Sequence, residues 1–186
     1  MTMNALLAAL LILLLAAPAL AHITPPVVLI SDREALTLLL AGARRFFVRE
    51  VRLSPAQRDA IEKTSGWRPE DDFYRFYLGR DADGRLVSAA VFVTEFTIHG
   101  PVRVVVGLAP DGTVRGARVV ELTEETYPWV KPLLDRSFTQ AYVGHDARAP
   151  LRAQTTTEHP MAEFYAQVIG GLIQRAAILF QAVGMG

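Results

Sequence analysis

Two runs of β-favouring residues, Val102–Leu108 and Val114–Glu121, flank the tetrapeptide Pro110-Asp111-Gly112-Thr113. Proline at the second turn position presets φ, aspartate bonds its own backbone, and glycine accepts a positive φ. The spacing predicts a tight turn between two antiparallel strands. The register set by that turn decides which face each side chain takes, because side chains alternate with a period of two.

The residues before the hairpin read as alternating short helices and strands. Ser31-Asp32-Arg33-Glu34 is a capping box: a serine N-cap with glutamate three residues on. A helix should run from Asp32 to about Leu40 and end at Gly42. Phe46–Leu53 reads as a strand with Phe46, Val48 and Val51 inward. Ser54-Pro55-Ala56-Gln57 starts a second helix, which stops at Gly66. Phe73–Leu78 and Arg85–Phe96 are strands joined by the turn Asp81-Ala82-Asp83-Gly84.

After the hairpin, Pro128 to about Tyr142 looks helical but carries Pro132, which predicts a kink or an irregular stretch. Gly144–His159 reads as a loop. Pro160 to about Ala182 is the longest helix, with Met161, Phe164, Tyr165, Val168, Ile169, Leu172, Ile173, Ala176 and Phe180 at three- and four-residue spacing. Gly170-Gly171 sits inside it, at a cost of about 1 kcal/mol per glycine relative to alanine. Either a close approach by another backbone or a simple weak point accounts for the pair. The expected fold is α+β: a mostly antiparallel sheet of four or five strands, short N-terminal helices and a long C-terminal helix.

The N-terminus is apolar from Ala5 to Ala17, and Ala19-Leu20-Ala21 fits the small-x-small pattern cut by a signal peptidase. No lysine or arginine precedes the run. Residues 1–21 are therefore read as a signal peptide or an N-terminal membrane anchor. Residues 22–186 are read as a single domain, periplasmic or otherwise extracytoplasmic. Nineteen basic and nineteen acidic side chains cancel, so no overall field attracts nucleic acid. The chain has no cysteine, which excludes disulfides, thiolate nucleophiles, iron–sulfur clusters and covalently attached haem.

Few residues point to chemistry. His22, His99, His145 and His159 have no helical ligand spacing, so no metal site is expected. His99, beside Gly100-Pro101, reads as a turn residue. No GxSxG, Walker A or dinucleotide fingerprint occurs, and no catalytic residue is assigned. Asp71-Asp72 and Glu124-Glu125 read as solvated loop charges, and Arg44, Arg45, Arg49 and Arg52 as a solvated face.

The remaining candidate is Gln154-Thr155-Thr156-Thr157-Glu158-His159-Pro160, at the start of the longest helix. Unpaired N–H groups and the positive end of the helix dipole favour an anion there, such as a phosphate with Arg152 beside it. Ordinary N-capping by Thr157 or Thr156 is the alternative.

The order of these pieces resembles the FMN-binding domain family. The apolar N-terminus and first helix are followed by Phe46–Leu53, Leu53-Ser54-Pro55-Ala56-Gln57-Arg58 and the strand Phe73-Tyr74-Arg75-Phe76-Tyr77. The hairpin with Gly107, Asp111, Gly112 and Val114, Val119-Val120-Glu121-Leu122 and the segment Glu124–Trp129 come next. Phe138–Gly144 and a threonine-rich opening of the final helix complete the pattern. The family includes the flavin subunits of sodium-pumping NADH:quinone reductases and of Rnf-type complexes.

The resemblance implies an exported redox carrier or accessory subunit more than a stand-alone enzyme. It implies membrane electron-transfer proteins as partners and possible membrane association through the N-terminal segment. It places FMN between Tyr127–Trp129 and the last helix, with the phosphate near Thr155, Thr156, Thr157 and Arg152. The family's Ser-Gly-Ala-Thr motif, whose threonine can carry FMN covalently, is replaced here by Ala153-Gln154-Thr155-Thr156-Thr157. Attachment is therefore expected to be non-covalent, with Thr156 or Thr157 as the positional matches for a covalent acceptor. A flavin-free periplasmic interaction or assembly module derived from the same domain is the alternative.

Overall fold

A computed structural model describes residues 24–148 and 159–185. Six strands form one sheet: β1 (Pro26–Val28), β2 (Arg45–Val51), β3 (Tyr74–Arg80), β4 (Leu86–Thr97), β5 (Gly100–Leu108) and β6 (Val114–Thr123). Their spatial order is β1-β6-β5-β4-β3-β2, with all neighbours antiparallel. The α+β class agrees with the sequence reading, but the sheet has six strands rather than four or five. The added strand is β1, which pairs with β6 at the edge. It has three residues, too few to show an alternation, and Pro26 is tolerated there because an edge strand can lack a donor.

Helices α1 (Asp32–Leu39) and α2 (Pro55–Ser65) both begin on complete capping boxes, Ser31 with Glu34 and Ser54 with Gln57. Gly66 ends α2 in the left-handed conformation. Helix α3 (Tyr127–Asp135) is followed by a 3₁₀ turn over Phe138–Tyr142. The chain does not break at Pro132, which lies inside α3. It breaks one turn later, where Ser137 adopts a positive φ of 53°. Helix α4 spans Pro160–Ala182, as the apolar periodicity predicted.

The alternation along β5 sorts the core into two layers. Val102, Val104, Val106 and Leu108 point to the α4 side, where Ile169, Ile173 and Phe180 cover them. Val105 points the other way, with Ala90 and Val120, under Ala35 and Leu39 of α1. Burying each such side chain stabilises the fold by about 1.5–3 kcal/mol. The long α4 runs along one face, whereas α1 packs mainly on β4, β5 and β6 on the other.

The short reach of α1 overturns the expectation for β2. Phe46 and Val48 were expected inward, yet they are 64% and 58% exposed. They lie opposite Gly79 and Tyr77 on the α1 side of the sheet, beyond the end of the helix. Leu36 of α1, Leu40 just after it and Tyr77 of β3 join them in an open apolar groove of about 830 Å³. Val51, on the α4 side, is half-buried. Arg44, Arg45, Arg49 and Arg52 are all exposed, as a solvated face should be.

The hairpin turn forms as predicted. Gly112 has a φ of 86°, and its N–H donates to the Ala109 carbonyl at 2.9 Å. Asp111 Oδ1 accepts from the Thr113 N–H and hydroxyl at 3.0 and 2.8 Å. These two donors hold the Asp111 carboxyl below its ordinary pKa.

Candidate functional site

At one end of the sheet the β4–β5 turn, the start of α3 and the first turns of α4 converge. Trp129 stacks on Tyr165 of α4 with ring centroids 5.8 Å apart and planes inclined by 14°. His99, in the β4–β5 turn, meets the Trp129 ring edge-on at 5.0 Å. Tyr165 is fully buried, and burial raises its phenol pKa. Its hydroxyl lies 3.3 Å from Thr97 Oγ1.

A hydroxyl cluster anchors this end. Thr123 Oγ1 donates to the His99 carbonyl at 2.8 Å, and Thr126 Oγ1 donates to the Thr123 carbonyl at 3.1 Å. Both threonines are buried, so these bonds offset the loss of water. His99 Nδ1 lies 2.8 Å from Glu125 Oε1. An ionised carboxylate only accepts, so Nδ1 carries the proton. Glu125 is thus a specific partner of His99 rather than a loop charge, a contact between residues distant in sequence that no local signal announces.

The His99–Glu125 pair resembles a base with its orienting acid, but it has no nucleophile beside it among the described residues. The Thr97 hydroxyl donates to the Gly100 carbonyl at 2.8 Å and turns away from that role. Also among the described residues, no three histidine, aspartate or glutamate side chains converge as a metal site. No helix there is long and apolar enough to cross a membrane.

Trp129 lies against the first turns of α4 through Tyr165, and Tyr127 and Trp129 both pack half-buried against the main core. Arg152, Thr155, Thr156 and Thr157 lie outside the described residues. The N-cap of α4 is neither Thr156 nor Thr157 but His159, whose Nδ1 accepts from the Met161 N–H at 3.2 Å. Proline at the first helical position was the available signal for this boundary.

These contacts bear on whether FMN fits. A flavin ring sandwiched between Trp129 and Tyr165 needs their planes about 7 Å apart, twice the carbon–carbon contact distance. Their centroids are closer than that. At the helix start, Pro160 has no N–H and Met161's is taken by His159, which depletes the usual anion-binding donors. As arranged, a flavin ring does not fit between Trp129 and Tyr165. No family model matches the chain, and no curated protein matches it.

Proposed function

We propose that the protein is an extracytoplasmic interaction module on the plan of an FMN-binding domain, working without flavin. The observation that carries this reading is the Trp129–Tyr165 stack: one face of the tryptophan that would serve as a flavin shelf is covered by the chain's own tyrosine. The capped α4 N-terminus supports the same conclusion. So does the apolar surface left open elsewhere, with Phe46, Val48, Phe96 and Ile98 all more than half exposed. Surface of this kind belongs to binding more than to catalysis.

The second reading is an FMN-carrying redox subunit serving membrane electron-transfer proteins. It is favoured by the contact between Trp129 and Tyr165, which sets one expected flavin-facing side chain against the first turns of α4. The redox chemistry would belong to the flavin, and Arg152 and Thr155–Thr157 would hold its phosphate. An absorbance spectrum of the full chain, exported by its own machinery and then refolded with excess FMN, separates the two. A colourless protein is expected. A yellow one overturns the first reading. Colour lost on denaturation then means non-covalent FMN, and colour retained means attachment at Thr156 or Thr157.

A further inference from the structure

We propose that the β4–β5 hairpin end of the domain rests on a lipid bilayer, with Phe96, Ile98 and Phe164 entering its interface. The proposal does not depend on whether flavin binds.

The first observation is the chemistry of the turn. Ile98 and His99 connect Thr97 to Gly100, a place where two-residue hairpin loops ordinarily carry Asn-Gly, Asp-Gly or Gly-X. Ile98 is instead 93% exposed, and Phe96, one residue inside the strand, is 80% exposed. Phe164 of α4 is 42% exposed beside them. The three side chains, with Val168 and Gly171, border an open groove of about 600 Å³ along α4. Gly171 adds no wall to it: a β-carbon there would meet nothing within 4 Å. Phe96 and Ile98 add little to the core, so packing does not explain them, while Phe164 leaves part of its ring in the open beside its edge contact with Tyr165.

The second observation is where the chain joins the fold. Pro26 pairs with Thr123, and Thr123 Oγ1 donates to the carbonyl of His99 in the turn itself. The Glu124 N–H donates to the Pro25 carbonyl at 3.0 Å. The first described residue, Thr24, therefore stands at the hairpin end of the sheet. The apolar sequence Ala5–Ala17 ends seven positions earlier. Seven residues reach at most about 25 Å. If that run is held in a membrane, the end of the domain kept nearest the bilayer is the one carrying Phe96, Ile98 and Phe164.

Charge selects the type of surface. Glu124, Glu125 and Glu163 flank this end, and Arg175 beside the groove is paired with Glu95. A zwitterionic surface suits that set better than an anionic one. A second copy of the chain is a poorer occupant. Three side chains expose only a few hundred Å², short of the roughly 800 Å² per partner of a stable interface.

The absence of cysteine makes the test direct. Single variants Ile98→Cys, Phe164→Cys and Asp83→Cys of the full chain are labelled with an environment-sensitive fluorophore and mixed with phosphatidylcholine vesicles. Asp83 lies in the β3–β4 turn at the opposite end of the sheet. The labels at 98 and 164 should brighten several-fold and be quenched by doxyl-labelled lipid, while the label at 83 stays in water. Adding Phe96→Ser and Ile98→Ser should abolish most of the quenching at 164 without lowering the melting temperature. The proposal is overturned if position 98 behaves like position 83. It is equally overturned if position 98 becomes shielded without lipid as protein concentration rises, or if the serine pair leaves the quenching at 164 intact.

Discussion

The Tyr142 hydroxyl stands 2.5 Å from where a β-carbon on Gly170 would lie. Tyr142 comes from the 3₁₀ turn after α3, and Gly170 from the middle of α4. The glycine pair in α4 therefore has two different explanations. Gly170 makes room for an aromatic side chain, not for another backbone, and Gly171 faces open space.

The two glycines should respond oppositely to alanine. Gly170→Ala drives a methyl into a buried phenol and should cost about 1–3 kcal/mol, the range for overpacking. Gly171→Ala gains helix propensity without a clash and should stabilise by about 0.5–1 kcal/mol. Urea unfolding of both variants checks this. Equal shifts in the midpoints would mean that the Tyr142 contact does not constrain the helix.

Tyr142 also predicts an alkaline transition. Burial pushes its phenol, and that of Tyr74, up to about 12, against about 10 in an unfolded chain. Between those values the unfolded chain has released protons that the native one still holds, so stability falls as pH rises. Each group contributes a slope of at most about 1.4 kcal/mol per pH unit. The Tyr142 hydroxyl is buried and has no hydrogen-bond partner among the described residues. Tyr142→Phe should therefore leave stability at pH 7 unchanged or slightly higher, and should flatten the decline above pH 10. Urea midpoints measured from pH 8 to 12 test it, and identical slopes in parent and variant would contradict it.

Arg103 ties α1 to the sheet. Its guanidinium makes two bonds to the Asp32 carboxylate, at 2.7 and 2.8 Å, and lies 4.3 Å from the Phe92 ring centroid. Lysine cannot reproduce the paired bonds or the planar stacking. Arg103→Lys should cost about 1 kcal/mol, a modest figure because the pair is partly screened by solvent. The deficit should shrink in 1 M salt. A variant as stable as the parent in low salt would show that α1 is held by Ala35 and Leu39 alone.

Gly112→Val should destabilise by about 1–3 kcal/mol, because a β-branched residue is forced to a positive φ. Space is not the cause, since a β-carbon at Gly112 would meet Phe180 and Gln181 at ordinary contact distances of 3.5 Å. Unchanged thermal unfolding would mean that the turn relaxes into another type.

The helices α1 and α2 with their caps, and the span of α4, were legible in the sequence because they depend on nearby residues, whereas the end of α3 at Asp135 was not. Ser31 with Glu34 and Ser54 with Gln57 form caps three residues apart, and the apolar spacing of α4 repeats over its whole length. The turn at Asp111-Gly112 is local in the same sense. The aromatic half of the candidate site was legible only as a position. Trp129 lies beside α4, but no local pattern says that Tyr165, 36 positions away in the sequence, covers its ring.

Strand order was decided only in three dimensions. An apolar, β-favouring run such as Phe46-Phe47-Val48 reads the same at a sheet's edge as at its centre. The sequence by itself determined that this segment is a strand. Its place as the outermost strand, past the end of the eight-residue α1, left Phe46 and Val48 in solvent. The same holds at the other edge. Pro26–Val28 is too short to declare itself, and it becomes a strand because β6 offers an open row of backbone donors and acceptors. Local hydrogen bonding and periodicity set the elements; burial, a property of what packs on what, set their faces and neighbours.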